Sequence, residues 1–181
     1  MLGFIKKLFG GSKSEKDNAL YQPTVNEINR FYEEFNVLTN DELRGKTIEF
    51  RARISEFLSE IDAQINDINE QAINEEDLEQ KELLFKDVDD LRKERNQQLE
   101  VILKELLPEA FAVVKQTAKR FSENETLTLT ATAHDRMLVS KGKIYITIEG
   151  DKAIWKNTWT AAGGSVTWNM IHYDGDINFT F

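Results

Sequence analysis

The fold is decided by two consecutive stretches, the first of which is Thr39–Asn74, TNDELRGKTIEFRARISEFLSEIDAQINDINEQAIN. Its apolar residues recur in steps of three and four, which places them on one face of a helix. Thr39 and Glu42 have the spacing of a capping box, in which the hydroxyl accepts from a first-turn amide and the carboxylate reaches back to the amide of the cap residue. The stretch predicts a long amphipathic helix that starts at Thr39 and is broken at Asn74.

A second repeat of the same kind runs from Leu84 to Leu106. Two long amphipathic helices joined by a short turn pack antiparallel, so a helical hairpin with charged, solvated outer faces is predicted. Because a proline cannot donate a hydrogen bond to the preceding turn, we expect a new helix to begin at Pro108 and to run to Phe121. Its apolar residues occupy more than one stripe, so this helix needs neighbours on several sides.

Apolar residues recur with a helical period before the hairpin and with a period of two after it. Pro23 suits a first helical position, and the apolar residues from Val25 to Phe35 predict a one-faced helix. After Ser122 the sequence alternates in twos and is rich in Thr, Ile, Tyr and Trp, which predicts three or four strands of a small antiparallel sheet. We expect Trp155, Trp159 and Trp168 to supply its hydrophobic face.

These patterns predict an α+β fold, mostly helical, with a small antiparallel β region at the C-terminal end. They divide the chain into an amphipathic helix and linker at 1–16, a helical region with the long hairpin at 17–121, and a β-rich part at 122–181. No run of about 18 apolar residues and no signal peptide is found, which predicts a cytoplasmic chain. The absence of cysteine excludes disulfides and thiolate metal sites.

The first residues predict a short amphipathic helix. Apolar residues recur at helical spacing, with two lysines on the other side and Gly10-Gly11 as a stop. Two interpretations stay open: the helix packs onto its own domain, or it lies on an anionic membrane with its lysines near lipid phosphates. The candidate membrane-binding residues are Leu2, Phe4, Ile5, Lys6, Lys7, Leu8 and Phe9.

Charge is distributed unevenly along the chain. The net charge of the 181 residues is -9, which argues against nucleic-acid binding. Residues 1–16 carry four lysines against one glutamate, whereas residues 56–100 carry fifteen acids and five bases, a local charge of -10. We therefore expect the basic N-terminal end to bind a partner and the acidic middle to face solvent.

No catalytic or metal-binding constellation is predicted. Gly45-Lys46-Thr47 is like the end of a phosphate-binding loop, but position 40 is Asn instead of Gly and the segment opens a capped helix. His134 and His172 are isolated and have no metal-ligand spacing. The pairs Glu75-Glu76 and Asp89-Asp90 are expected on exposed positions, where a carboxyl is a poor general acid or base.

Four segments of the chain resemble, in their order and spacing, the N-terminal region of the SecA family of bacterial preprotein translocase ATPases. They are MLGFIKKLFG at 1–10, LTNDELRGKTIEFRARI at 38–54, LLPEAFAVVKQTAKRF at 106–121 and WNMIHYD at 168–174. The family's next motifs, an adenine-binding Gln, a phosphate loop and a Walker B acid, do not follow Asp174, so the resemblance is to a segment truncated before the Walker A loop. The chain alone is therefore expected to bind no cofactor and to be inactive as an ATPase.

The resemblance implies a role in protein export. ATP and Mg would be bound by the intact parent protein, which couples hydrolysis to the movement of preproteins through the SecYEG channel. Residues 2–9 would contact the channel and anionic lipid at the inner face of the plasma membrane, and would also support a homodimer. The helix from Leu106 to Phe121 would pack against the nucleotide-binding domain. The alternative, from the residues alone, is a stand-alone helical-hairpin adaptor or protein-interaction module.

Overall fold

The computed structural model describes the backbone of residues 13–161, 164–167, 172–173 and 179–180, and the side chains of residues 18–158. Helices dominate, and the small antiparallel sheet follows them, which confirms the predicted α+β class. In chain order the elements are α1 (Lys13–Glu34), a 3-10 turn (Phe35–Val37), α2 (Asn40–Asn74), α3 (Leu78–Glu123), β1 (Thr126–Thr130), α4 (Ala133–Ser140), β2 (Ile146–Glu149), β3 (Lys152–Lys156), β4 (Thr158–Ala161), β5 (Gly164–Thr167), β6 (His172–Tyr173) and β7 (Phe179–Thr180).

The described residues divide into two compact units. One comprises the residues up to Leu43 together with those from Pro108 onward, and the other is the segment Arg44–Leu107. The three regions predicted from the sequence, 1–16, 17–121 and 122–181, stay a prediction. The helix α1 begins at Lys13, inside the stretch predicted as a linker.

The segment Arg44–Leu107 is the predicted helical hairpin. Its two helices run antiparallel, because Asp62 pairs with Arg95 near the turn and Arg53 pairs with Glu105 far from it. The turn is held at both helix ends: the Lys81 ammonium donates to the carbonyl of Glu75 at 3.1 Å, and the amide of Gln80 donates to the Asp77 carboxylate at 2.9 Å. The seam consists of buried side chains, Leu58, Ile61, Ala72, Val88, Ile102 and Leu106.

The other unit has its core where α1, the 3-10 turn, the first turn of α2 and the second half of α3 meet. Ile28, Phe35, Leu43 and Ala112 are buried there. The capping box predicted at the start of α2 is confirmed, since the Thr39 amide donates to the Glu42 carboxylate at 2.7 Å and the Glu42 amide donates to the Thr39 hydroxyl at 3.2 Å. The cap fixes where α2 begins and so places Leu43 in the core.

Both helix starts predicted at prolines are wrong. Pro23 lies inside α1 and Pro108 lies inside α3. A proline in a helix interior leaves the carbonyl four residues earlier without its amide partner, at a cost of about 3 kcal/mol. In α3 the helix continues because side chains on both sides of the proline are buried, Leu106 in the hairpin seam and Ala112 in the core of the other unit.

The β region contains a three-stranded antiparallel sheet in the order β1-β3-β2. Successive side chains of a strand point to opposite faces of the sheet. One face is buried and includes Leu127, Ile146 and Ala153, and the other carries the exposed threonines of β1. Strands β4 and β5 pair with each other, as do β6 and β7. The short helix α4 interrupts the predicted strands, and Thr132 and Asp135 form its capping box.

The prediction of a tryptophan face is tested at Trp155. This side chain is half-buried on β3 and stacks on Tyr145, with ring centroids 5.8 Å apart. Its indole Nε1 is buried and has no hydrogen-bond partner within the described part of the chain. The side chains of Trp159 and Trp168 lie outside the described residues, so their place in the sheet stays a prediction.

Candidate functional site

A polar pocket of about 550 Å³ lies where the end of α3 meets the start of α2 and strand β1. It belongs to a single compact unit. Its lining combines two cationic and two acidic side chains with amides and hydroxyls, and includes Asn36, Thr39, Asn40, Asp41, Lys119, Arg120, Glu123 and Thr128.

Arg120 is the central side chain of this pocket. Its guanidinium donates to the carbonyl oxygens of Leu38 at 2.7 Å and Phe35 at 3.1 Å, and to the amide oxygen of Asn40 at 2.8 Å. Burial lowers the pKa of Arg120 from its usual value. The cation therefore satisfies carbonyl groups left over where the 3-10 turn ends and α2 begins.

The first turn of α2 closes the free edge of strand β1. The side-chain amide of Asn40 donates to the carbonyl of Thr128 at 3.1 Å. The Asp41 carboxylate accepts from both the amide and the hydroxyl of Thr130, each at 2.8 Å. The strand edge is thus covered by side chains, which prevents pairing with another strand there.

Two further polar side chains of α3 are buried and donate hydrogen bonds to α1. The Lys115 ammonium donates to Asn29 at 2.7 Å and lies 4.5 Å from the centre of the Tyr32 ring. The Gln116 amide donates to the carbonyl of Tyr32 at 2.7 Å. These pairs hold α3 against α1 and offer no free group for acid–base chemistry, so the arrangement is a structural joint.

One side of α3 lacks a cover within the described residues. Phe111 and Val114, three positions apart and so on one face, are 39% and 50% exposed. The opposite face, with Ala112 and Gln116, is buried. This helix therefore has apolar residues on more than one side, as expected. Within the described residues, only the side with Ala112 is covered by the rest of the chain.

The candidate residues predicted from the sequence fall in different places. The candidate membrane-binding residues lie outside the described residues; they are Leu2, Phe4, Ile5, Lys6, Lys7, Leu8 and Phe9. Gly45-Lys46-Thr47 lies within α2, where Lys46 pairs with Glu49 at 2.7 Å. A helix interior hydrogen-bonds its own amides, so these residues do not fit the phosphates of ATP.

The remaining candidates with described side chains lie on different elements, and the side chain of His172 lies outside the described residues. His134 is exposed on α4, and residues 18–158 contain no group of three metal-ligating side chains that could hold an ion. Asp89 and Asp90 are exposed and pair with Arg92 and Lys93. Glu75 is half-buried instead of exposed, because its carboxylate caps the turn by accepting from the amides of Glu76 and Asp77. Among the described helices, none is long and apolar enough to cross a membrane.

Comparison with known proteins gives one consistent family. Residues 5–145 match the model of the SecA DEAD-like domain. The chain is 45% identical to a protein translocase subunit SecA of Christiangramia forsetii over 96% of this chain and 15% of that protein. It is 44% identical to the corresponding subunits of Phocaeicola vulgatus and Flavobacterium psychrophilum, over 94% of this chain and 15% of each. No solved structure gives a significant match.

Proposed function

The chain belongs to the SecA DEAD-like domain family, and from this premise we propose that it forms the N-terminal part of a SecA-type protein translocase subunit. The observation that carries the proposal is the family match over residues 5–145, which includes both helices of the hairpin and α4. The chain spans about 15% of the length of the curated relatives it matches. The intact protein would couple ATP hydrolysis to the export of preproteins through the SecYEG channel.

The contribution of this segment would be structural. The face of α3 that carries Phe111 and Val114 would pack against the nucleotide-binding domain of the intact protein. Burying each such side chain contributes roughly 1.5–3 kcal/mol, so an apolar face of this kind supports a domain interface. The joint around Arg120 would keep this face rigid, because it ties α3 to the start of α2 and so to β1.

Contact with the membrane and the channel would come from residues 2–9. The short helix predicted there from the sequence, with apolar residues on one side and Lys6 and Lys7 on the other, suits an anionic surface. The protein would then act at the cytoplasmic face of the plasma membrane, and two copies could associate through this segment. Two turns bind weakly alone, so the intact protein would need the channel as a second anchor.

ATP and Mg would be bound by parts of the intact protein other than Gly45-Lys46-Thr47. The described residues supply neither a phosphate loop nor a cluster of carboxylates for a metal ion. We therefore assign no catalytic residue to this chain, and expect it to be inactive as an ATPase alone.

A chimaera tests the proposal. The aligned segment of the Christiangramia forsetii subunit is replaced by this chain, and ATP-dependent translocation of a preprotein into SecYEG vesicles is measured. We expect the chimaera to translocate the preprotein. Two further chimaeras, one lacking residues 44–107 and one carrying Arg120→Ala, show how far translocation falls when this segment is structurally damaged. A folded chimaera with normal ATP turnover and no translocation would favour the alternative of a separate adaptor.

A further inference from the structure

The helical hairpin carries a groove between α2 and α3 whose lining is both apolar and acidic. Its volume is about 550 Å³. Aliphatic side chains from both helices, four carboxylates and one amide line it. The aliphatic residues are Ile68 and Leu91, the acids are Asp67, Asp87, Asp90 and Glu94, and the amide is Gln64.

Most of the negative charge in this groove is not neutralised. Asp90 pairs with Lys93 at 2.8 Å, and hydrogen bonding by that lysine lowers the pKa of Asp90. Asp67 and Glu94 accept only from neutral side-chain amides one helical turn away, at 3.0 Å and 3.2 Å. Within residues 18–158 no cation forms a salt bridge with Asp67, Asp87 or Glu94.

Exposed aliphatic side chains extend the same face of α3 in both directions. Leu83, Asp87, Asp90 and Glu94 follow one another in steps of four, three and four, and Val101 lies seven positions further on, so all share one face. Leu83 is 50% exposed and Val101 is 57% exposed. The face therefore places acids at its centre and apolar side chains at both ends.

We propose that this groove binds a basic amphipathic helix of a partner protein. A third helix fits the groove between two antiparallel helices by ridges-into-grooves packing, with its apolar side on Ile68 and Leu91. Its lysine or arginine side chains then lie over Asp67, Asp87 and Glu94. Nucleic acids and anionic membranes are repelled by the same carboxylates, so charge selects a cationic peptide. This inference is independent of the proposed translocase function.

The test uses the full chain and a labelled synthetic peptide of leucine and lysine in helical repeat, LKKLLKLLKKLLKL, in fluorescence anisotropy. The groove variant is Asp67→Asn, Asp87→Asn, Glu94→Gln. The control is Glu82→Gln, Asp89→Asn, Glu100→Gln, three exposed acids seven and eleven positions apart on the opposite side of α3. We expect about tenfold weaker binding for the groove variant and less than about twofold change for the control, since only the groove acids would lie against the basic side chains of the peptide.

Equal weakening by the two variants, or no binding of the lysine peptide by the parent chain, would overturn the proposal. Circular dichroism checks that both variants are folded. If the groove variant is not, amide chemical shifts of the unaltered chain on peptide addition decide the question. Shifts concentrated at residues 64–68 and 87–94 support the proposal, and shifts concentrated elsewhere contradict it.

Discussion

The guanidinium of Arg120 donates to the carbonyl oxygen of Leu38 at 2.7 Å, across 82 positions of sequence. This hydrogen bond joins the last turn of α3 to the residue before the cap of α2. The same guanidinium reaches Phe35 and Asn40, and Asn40 in turn reaches β1. A single cation thus hydrogen-bonds the end of α3 to the 3-10 turn and to the start of α2, which in turn contacts β1.

Replacing Arg120 with alanine is expected to lower the free energy of unfolding by about 3 kcal/mol, because hydrogen bonds to a charged group are lost and carbonyls are left without donors. Urea unfolding followed by circular dichroism measures the change. Arg30→Ala is the matched control, since Arg30 pairs with Glu27 and Glu34 on an exposed face of α1 and should matter much less. Equal losses for the two variants would contradict the role given to Arg120.

The capping box predicts a pH dependence. Hydrogen bonds from the backbone amide and the hydroxyl of Thr39 lower the pKa of Glu42 in the folded chain. The ionised carboxylate therefore stabilises the fold above its unfolded pKa of about 4.3, and this stabilisation is lost as the pH falls through the lower folded value. Glu42→Gln should be less stable than the parent at pH 7 and should approach it near pH 3, whereas Glu33→Gln, on an exposed position, should differ little at either pH.

The N-terminal segment is expected to bind anionic vesicles. Co-sedimentation with phosphatidylglycerol vesicles should pellet the chain, and added salt should weaken the binding because lysines contribute. Changing Phe4 and Phe9 to Ser removes the apolar contact and should leave most of the chain in the supernatant. If the double variant pellets as well as the parent, residues 2–9 are not the membrane contact.

ATP turnover is expected to be absent from the isolated chain. Lys46 is a helical residue paired with Glu49, so Lys46→Ala should leave phosphate release at the level of the blank. The measurement is release of inorganic phosphate from ATP and Mg by the purified chain, with the exposed Lys86→Ala as control. Specific turnover that disappears in Lys46→Ala alone would contradict the assignment of Lys46 to the helix surface.

The hairpin could be predicted from the sequence because its signal is long and regular. Steps of three and four persist through both helices, and the capping box marks the start of α2. Helix α4 could not be separated from the strands around it, since eight residues with several β-branched and apolar neighbours show no clear period. Thr132 and Asp135 were the available signal, as they have the same cap spacing as Thr39 and Glu42.

The joint around Arg120 could not be predicted from local pattern. Its partners lie 80 to 85 positions away, and helical spacing identifies a face without identifying what packs against it. The two prolines show the opposite error: a local rule predicts a helix start at Pro23 and at Pro108, and burial on both sides of Pro108 overrides it. Leu2 to Phe9 stay a prediction for the membrane contact.

Packing of the apolar face of α3 against another domain is tested by ATP-dependent preprotein translocation by the chimaera with Phe111→Ser and Val114→Ser. In the isolated chain this pair should lower the unfolding free energy by about 2 kcal/mol and leave the chain folded, because about half of each side chain is already exposed. In the chimaera, translocation should fall by about tenfold or more, as expected for apolar residues at a domain interface. The control pair Val37→Ser and Ile144→Ser, also exposed, should translocate normally. Unchanged translocation by the Phe111 and Val114 variant would show that this face meets no other domain.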